Sequence, residues 1–327
     1  MTKAVLATTL TIMCLSVALV GCGKRENARV LKLAHGLSTE HPVHKGMAYM
    51  AEKVAEKSDG AMRVDIYPSG QLGSEKECLE QLQNGELAMT KTSSSPMESF
   101  VDEMKVLGLP YIFRDREHYW KVLLGPVGKE LLAAGTSKGL KGLCYYDAGA
   151  RSFYTVKTPV STPADLAGLL IRVQKSPVAV DMVKAMGASA TPIDWGDLYT
   201  ALQQGTVDGA ENNPPSVYTS KHYEICKYYV LDEHTMPPDV LLISHIIWKR
   251  LTPEEQTILQ EAVDESFTYQ RELWAEFEQQ SMDEIQKAGV DVREVDKAPF
   301  RAKVQDMLRE YDGTRIGDMI KRIDEVR

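Results

Sequence analysis

The sequence lacks three short motifs that mark large classes of enzymes. It has no G-x-S-x-G nucleophile motif, no G-x-x-x-x-G-K-[ST] phosphate loop and no G-x-G-x-x-G dinucleotide motif. We therefore predict that the protein is not an enzyme and uses no cofactor. Acidic residues outnumber basic ones by 46 to 38, and no lysine- and arginine-rich run is present, which argues against a nucleic-acid partner.

Cysteine is also scarce in this chain. Of the five cysteines, Cys14 and Cys22 lie in the N-terminal stretch, which leaves Cys78, Cys144 and Cys226. At most one disulfide can form among these three, and the sequence leaves open whether any pair does. There is no C-x-x-C pair and no cysteine and histidine spacing typical of zinc, so we expect no metal site.

The N-terminal stretch has the layout of a secretory signal. Lys3 is followed by a mostly apolar run over residues 4–20, which ends in the sequence Leu-Val-Gly-Cys and resembles a bacterial lipoprotein box. We expect a signal peptide at residues 1–21, a linker at residues 22–28 that begins with lipidated Cys22, and a periplasmic lipoprotein tethered to a membrane surface. A plain signal peptide or a short membrane anchor is the alternative, although the run is short and rich in threonine for a spanning helix.

Strand and helix patterns alternate along the chain. Strand-like segments at 30–34, 62–67 and 87–90 are separated by helical patterns at 42–58 and 75–84. This rhythm predicts crossover units, a mostly parallel sheet and helices on both faces. The rhythm recurs later in the chain, and 327 residues exceed what one core usually organises, so we predict an α/β protein with two lobes.

A long helix is predicted near the C-terminus. Thr252, Pro253 and Glu255 form a helix-start signal, and no further proline or glycine occurs until Gly289. If residues 253–288 are fully helical, they extend for about 54 Å, which is longer than one lobe. The helix therefore either spans both lobes or is broken by a bend.

Two arginines stand where a binding cleft could use them. Arg172 lies within an apolar strand at 169–173, where its guanidinium needs a planar anion such as a carboxylate or a phosphate. An internal salt bridge to Asp or Glu would satisfy it equally well. Arg151 follows a glycine turn and suits the lip of a cleft, and a solvated loop arginine is the alternative there.

Four segments of the sequence form a distinctive set: PSGQLG at 68–73, LLIRV at 169–173, GASATP at 187–192 and YTALQQGTVDGAEN at 199–212. Together they resemble the DctP family, the extracytoplasmic solute-binding proteins of TRAP (tripartite ATP-independent periplasmic) transporters, and the resemblance extends over nearly all of residues 30–320. It implies a two-lobed periplasmic-binding-protein fold with a long helix spanning both lobes. It also implies the small and large TRAP membrane subunits as partners.

The resemblance implies boundaries for the two lobes. Lobe I is expected to contain residues 29–149 plus 239–277, and lobe II residues 150–238 plus 278–327. The chain would then cross between the lobes more than once, with the ligand site between them.

The resemblance also implies the residues of that site. Arg172 matches the main carboxylate-binding arginine of the family, and Arg151 a second anion contact. Asn212 and Trp195 match ligand-contacting positions, the tryptophan lying over the ligand. Glu75 matches an acidic residue that reaches hydroxyl groups in related binders.

The first lobe is expected to add His35 after the first strand and Lys91 and Ser93 after the third. Sialate-type relatives carry an acidic residue and an arginine in the latter loop, where this chain has Ser93 and Pro96. Residues 145–154 resemble members associated with hexuronates, so we predict that the ligand is D-glucuronate or D-galacturonate. The alternatives are another organic acid (a sialate, keto acid or dicarboxylate) and a receptor function that serves a sensor kinase.

Overall fold

The computed structural model describes residues 28–327, and its strands form two sheets. The five-stranded sheet of lobe I contains β1 (Arg29–Ala34), β2 (Met62–Tyr67), β3 (Met89–Ser93), β4 (Leu140–Tyr146) and β10 (Asp239–Ser244). The six-stranded sheet of lobe II contains β5 (Ser152–Thr155), β6 (Leu170–Val173), β7 (Ser189–Pro192), β8 (Gly209–Asn212), β9 (Tyr228–Leu231) and β11 (Asp291–Glu294). The predicted α/β class with two lobes is confirmed.

Helices connect and flank these strands. They are α1 (Pro42–Lys57), α2 (Glu75–Asn84), α3 (Ser94–Met97), α4 (Lys105–Gly108), α5 (Arg116–Leu124), α6 (Pro126–Ala134), α7 (Pro177–Ala185), α8 (Trp195–Gln203), α9 (Pro214–Thr219), α10 (His245–Trp248), α11 (Pro253–Lys287), α12 (Ala298–Lys303), α13 (Gln305–Arg309) and α14 (Arg315–Asp324). The helices predicted at 42–58 and 75–84 form as α1 and α2. Ser74 and Glu77 begin α2 with a reciprocal capping box, and Gly85 ends it in the left-handed conformation.

The sheets are less uniformly parallel than the sequence predicts. In lobe I the order is β2-β1-β3-β10-β4, and β10 runs antiparallel to both of its neighbours. In lobe II the order is β11-β9-β5-β8-β6-β7, and β5 runs antiparallel to β8 and β9. The chain crosses to lobe II between β4 and β5 and returns between β9 and β10. Strands β5 and β10 each follow one of these crossings, so each enters its sheet from the lobe interface. Each therefore runs opposite to its neighbouring strands.

Helix α11 forms without a break over 35 residues, a length of about 52 Å. The predicted capping box of Thr252 and Glu255 starts it. The helix packs on α1 and β4 of lobe I and on α9 of lobe II. Accordingly, Leu259 and Val263 join an apolar core of lobe I, and Ile285 joins one of lobe II. The spanning helix forms, and the alternative with a bend does not.

The C-terminal segment contacts both lobes. Helices α12 and α13 pack on elements of lobe II, whereas α14 packs on α4 and α6, which belong to residues 29–149. Helix α14 does so because it buries Ile316, Met319 and Ile323 in an apolar cluster shared by the two lobes. The lobe boundaries set out above stay a prediction.

The N-terminal predictions lie outside the described residues, including the signal peptide at 1–21 and lipidated Cys22. Within residues 28–327, no helix combines the length and apolar character needed to cross a membrane. In the same range Cys78, Cys144 and Cys226 are buried free thiols, which answers the question of pairing left open by the sequence.

Candidate functional site

Two chain crossings meet between the lobes, and we call residues 147–151 and 232–238 the hinge segments. They lie side by side because the backbone N–H of Arg151 donates to the carbonyl of Thr235 at 2.8 Å. The N–H of His234 donates back to the carbonyl of Arg151 at 3.0 Å. Arg151, predicted as a site residue, is thus fixed in place by backbone pairing at the point where the lobes join.

A cleft lies beside the hinge segments, at the carboxyl ends of parallel strands from both lobes. This is where α/β sheets usually bind ligands. One part has a volume of about 310 Å³, and a smaller part of about 40 Å³ continues it. Both parts share Gly36, Glu75, Gln174 and Trp195 in their walls. We call the two parts together the interlobe cleft.

A larger groove of about 770 Å³ lies on the other face of the first hinge segment. It is lined by Gly149 and Ala150, whereas Ala148 and Arg151 face the cleft. Charged side chains of this groove pair with each other or with neighbouring residues: Arg116 with Asp147 and Glu278, and Lys297 with Glu233. The interlobe cleft is the stronger ligand site because it contains a buried cation that has no salt-bridge partner in residues 28–327.

That cation is Arg172, at the third position of β6. Only 2% of its surface is exposed. Its Nε–H donates to the carbonyl of Ile193 at 2.8 Å, and its Nη1 has no hydrogen-bond partner among the described residues. Its guanidinium carbon lies 5.9 Å from the centre of the Trp195 ring. No carboxylate of residues 28–327 forms a salt bridge with Arg172, so the internal ion pair considered above is not present in the described range.

Burial lowers the pKa of the Arg172 guanidinium, but arginine keeps its charge at neutral pH. A buried unpaired cation is unfavourable unless an anion completes its hydrogen bonds. A carboxylate matches the planar fork of the guanidinium and can accept two of its N–H groups. Arg172 is therefore suited to hold the carboxylate of a ligand.

Arg151 is the arginine that does form an internal salt bridge. Its Nη2 donates to Oε1 of Glu211 at 2.8 Å, its Nε to Oε2 of the same carboxylate, and its Nη1 to Oδ1 of Asn212 at 2.7 Å. Burial would lower the pKa of Arg151 and raise that of Glu211, but their ion pair outweighs it in both cases. The pKa of Arg151 is raised, and that of Glu211, which His234 also contacts, is lowered to about 2. Arg151 is buried, so it is not a solvated loop arginine, and Glu211 cancels its charge.

The lobe I wall of the cleft centres on Lys91, which is buried in β3. Its Nζ donates to Oε1 of Glu75 at 3.3 Å and to Oδ1 of Asp239 at 3.1 Å. The backbone N–H of Ser93 also donates to Oε1 of Glu75, at 3.2 Å. The structure thus brings together Glu75, Lys91 and Ser93 as predicted. Burial raises the pKa of Asp239, and Lys91 opposes that shift.

Asp239 and Gln174 line the cleft without having been predicted. Asp239 is the first residue of β10 and pairs with Ser93 in the sheet register. A signal for it existed, because a lysine in a buried strand needs a carboxylate and Asp239 precedes an apolar run after two prolines. Gln174 follows β6, and its Oε1 accepts from Ser93 Oγ at 3.4 Å across the lobes. Gln174 could not be predicted in this way, because an uncharged polar residue after a strand does not require a partner.

His35 lies beside the cleft but is not part of its lining. Its Nδ1 accepts from the N–H of Leu37 at 3.1 Å, and its Nε2 lies 3.0 Å from Nδ1 of His44. Burial, helped by Lys91 and His44, lowers the pKa of His35 to about 2, so its ring is neutral. Both ring nitrogens are occupied within the protein. The ligand contact predicted for His35 stays a prediction, although the ring already has partners within the protein.

Trp195 and Asn212 complete the cleft on the lobe II side. Trp195 begins α8, is half-buried and packs at 5.2 Å from the ring of His222. Asn212 ends β8, and its Oδ1 also accepts the N–H of Asn213 at 2.9 Å, which leaves its amide NH₂ free among the described residues. No cluster of three or more metal-ligating side chains occurs within residues 28–327.

The cleft thus has a positive charge on its lobe II side, an acidic end on lobe I and an aromatic wall. Arg172 supplies the uncompensated positive charge, Glu75 and Asp239 flank a single lysine on lobe I, and Trp195 forms the wall. Such a cleft suits a small polar molecule that carries a carboxylate.

Known proteins share this architecture and much of this sequence. The family model for DctP, bacterial extracellular solute-binding protein family 7, matches residues 33–314. A TRAP periplasmic solute-binding protein of Xanthobacter autotrophicus PY2 with bound β-D-galacturonate superposes with a TM-score of 0.88. It is 41% identical, and the match covers 91% of this chain and 100% of that one.

Two further relatives point the same way. A TRAP periplasmic solute-binding protein of Pseudomonas putida F1 with bound D-glucuronate has a TM-score of 0.88 and 36% identity, and the match covers 91% of this chain and 97% of that one. The 2,3-diketo-L-gulonate-binding periplasmic protein YiaO of Escherichia coli K12 is 30% identical over 92% of this chain and 93% of its own length. Members of this family bind solutes and are not enzymes. The chain therefore belongs to the DctP family of TRAP solute-binding proteins.

Proposed function

We propose that the protein captures D-glucuronate or D-galacturonate in the interlobe cleft and delivers it to the membrane subunits of a TRAP transporter. The observation that carries this proposal is the buried guanidinium of Arg172, whose Nη1 has no partner among the described residues. Similar proteins with bound uronates support the choice of ligand.

Arg172 is the proposed carboxylate contact. When the lobes are open, water solvates its guanidinium. A sugar acid brings its carboxylate to that group, and closure removes the water, which strengthens the ion pair. A neutral sugar leaves the cation buried without an anion, which is unfavourable by several kcal/mol. The ligand therefore favours the closed state, which the membrane subunits receive.

Arg151 has a different part in this proposal. Glu211 cancels its charge, and its contacts with Glu211 and Asn212 use four of its five N–H groups. It can donate one hydrogen bond to the ligand while it holds Asn212 in position. The carboxylate of the ligand should therefore depend on Arg172 more strongly than on Arg151.

The remaining residues contact the sugar ring and distinguish the positions of its hydroxyl groups. Trp195 offers an aromatic face to the apolar side of the ring. Glu75, Ser93 and Asn212 offer hydrogen-bonding groups, and each hydrogen bond left unmade by a wrong epimer costs about 1–3 kcal/mol. Lys91 fixes the position of Glu75 through the contact at 3.3 Å.

A thermal-shift panel on residues 24–327 tests the proposal. The panel contains uronates, aldonates, sialate, keto acids, dicarboxylates, glucose and galactose. A ligand present at 100 times its dissociation constant adds about 2.7 kcal/mol to the free energy of unfolding, which is easily detected. We expect a shift with glucuronate or galacturonate and none with glucose or galactose. A shift with another acid alone would refute the uronate assignment, and no shift with any acid would refute solute capture.

A keto acid is the second candidate because the E. coli relative is named for binding 2,3-diketo-L-gulonate. The same arginine would serve it, since both ligands carry a carboxylate. The two candidates differ away from the carboxylate, where a keto group accepts hydrogen bonds and a hydroxyl also donates them. A larger shift with 2,3-diketo-L-gulonate than with either uronate would favour this candidate.

We further propose that the protein is a lipoprotein anchored through Cys22, on the evidence of the sequence Leu-Val-Gly-Cys before it. A lipidated terminus would hold the domain at a membrane surface without inserting it. Cells expressing the full chain and its Cys22→Ala variant should be labelled with radioactive palmitate and fractionated. We expect label and membrane association in the full chain only. Unlabelled full chain in the soluble fraction would refute the anchor.

A further inference from the structure

The acidic end of the interlobe cleft carries more negative charge than its lysine neutralises. Lys91 is shared between Glu75 and Asp239, so one ammonium group faces two carboxylates. The side chains of Lys91 and Asp239 are only 4% and 9% exposed, which limits screening by water. The lobe I end therefore has a formal excess of one negative charge.

Each of these carboxylates keeps an oxygen available. Lys91 contacts Oε1 of Glu75 and Oδ1 of Asp239. Among residues 28–327, Oε2 of Glu75 and Oδ2 of Asp239 have no hydrogen-bond partner, and both residues line the cleft. An ionised carboxylate can only accept hydrogen bonds, so these oxygens fit hydroxyl groups of a ligand.

The lobe II wall of the cleft carries the opposite charge. Glu211 neutralises Arg151, whereas Arg172 remains without a carboxylate partner among the described residues. A ligand with one carboxylate and a distant hydroxyl matches this polarity. A ligand with carboxylates at both ends would place its second negative charge beside Glu75 and Asp239. That repulsion is large where water is excluded.

We infer that Asp239, together with Glu75, restricts the site to acids with a single carboxylate and excludes the corresponding dicarboxylic acids. This inference rests on the proposed function, because it assumes that Arg172 holds the carboxylate of the ligand. It assigns Asp239 a role in specificity: the residue accepts hydroxyl hydrogen bonds and repels a second anionic group.

The test compares D-galacturonate with galactarate, the open-chain diacid that carries a second carboxylate at the anomeric carbon of galacturonate. Because galactarate cannot form the sugar ring, the change of the affinity ratio on substitution is the decisive readout. Dissociation constants for both are measured by calorimetry on residues 24–327 at pH 7.5. We expect the protein to bind galacturonate at least 100-fold more tightly than galactarate. Asp239→Asn should weaken galacturonate binding and reduce this ratio at least tenfold.

Two further variants keep the test decisive. Glu75→Gln should reduce the ratio in the same direction, which covers the case that Asp239→Asn does not fold. Glu80→Gln removes the same charge from an exposed position of α2 outside the cleft, and we expect it to leave the ratio unchanged. A reduced ratio in Glu80→Gln would indicate a general charge effect and overturn the inference.

The outcomes separate this inference from the proposed function. Binding of galacturonate and galactarate within tenfold of each other would overturn the inference and leave uronate capture intact. An unchanged ratio in both Asp239→Asn and Glu75→Gln would do the same. If no uronate binds, the uronate assignment fails. The ratio of dissociation constants is then measured for the hydroxy acid that binds most tightly and for the dicarboxylic acid derived from it. Equal affinities for these two acids would overturn the inference.

Discussion

Replacing Arg172 with methionine should change the lobe equilibrium of the ligand-free protein. In the structure Arg172 is 2% exposed and lines a cleft whose walls come from both lobes, and cross-lobe hydrogen bonds such as Ser93 to Gln174 join those walls. Closure without ligand therefore buries a cation that lacks an anion, and this favours the open state. Arg172→Met removes the cation and keeps a side chain of similar length, so the closed state should become more populated.

The magnitude follows from the contacts of the guanidinium. Burial of an unpaired ion costs several kcal/mol. The hydrogen bond to Ile193 at 2.8 Å lies within lobe II and persists in both states, so only the burial that closure adds affects the equilibrium. We expect Arg172→Met to favour closure by about 2 kcal/mol, which raises the ratio of closed to open molecules roughly thirtyfold. The variant should also lose its response to uronates, since the carboxylate contact is gone.

Arg151→Met is the matched control. Its guanidinium pairs with Glu211 in β8, the neighbour of β5. The hydrogen bonds that join the hinge segments use only the backbone of Arg151, so the substitution leaves them in place. Breaking a buried ion pair from one side typically costs about 3–5 kcal/mol of stability. We expect Arg151→Met to lower the free energy of unfolding by that amount and to leave lobe closure unchanged.

The assay measures a distance between spin labels on cysteines introduced at the exposed positions Glu52 in α1 and Gln203 in α8. We expect the ligand-free protein and its Arg151→Met variant to populate the longer distance, and Arg172→Met to shift toward the shorter one. Identical distance distributions for all three proteins would refute the reasoning. A ligand-free protein that is already closed would refute it as well.

Two predictions concern buried titratable groups. Burial raises the pKa of Glu98 to about 8, although Ser176 Oγ lies 2.8 Å from each of its carboxylate oxygens and opposes the shift. Between about pH 4.5 and pH 8 this carboxyl group ionises more readily in the unfolded chain than in the folded one, so the free energy of unfolding falls as pH rises. Urea denaturation measures the free energy of unfolding of Glu98→Gln and of the unmodified protein. The difference between them should shift in favour of Glu98→Gln by about 3 kcal/mol from pH 5 to pH 8. A difference that does not change with pH would contradict the role of ionisation. Burial would lower the pKa of His234, but Asp232 and Glu211 outweigh it and raise this pKa to about 9. The stability that protonated His234 adds to the folded protein is therefore complete below about pH 6.5 and is lost as pH rises through 9. The free energy of unfolding should fall between pH 7 and pH 10, and should fall less in His234→Gln; equal slopes would contradict the assignment.

The sequence predicted elements whose signals are local. The capping box at Thr252 and Glu255 and the proline-free run after it specify α11 without reference to the rest of the chain. The alternation of strands and helices likewise specified the α/β class. The antiparallel direction of β10 was missed because it depends on where the chain re-enters lobe I, and no pattern within its own residues encodes that.

The candidate site was predictable only in part, for the same physical reason. The residue types at Arg172, Glu75 and Lys91 signal charges that need partners, but which partner each finds is decided by the fold. The sequence allowed a salt bridge at Arg172, and the structure forms it at Arg151 with Glu211. Asp239 was missed because its partner Lys91 lies 148 positions away in the chain.

A crystal structure of the protein with bound D-galacturonate tests the central claim most directly. We predict that the ligand carboxylate lies within about 3.2 Å of the Arg172 guanidinium, with hydroxyl groups next to Glu75 and Asp239. A carboxylate bound at Lys91 instead, with Arg172 contacting only hydroxyl groups or water, would contradict the arginine contact on which the proposed function rests.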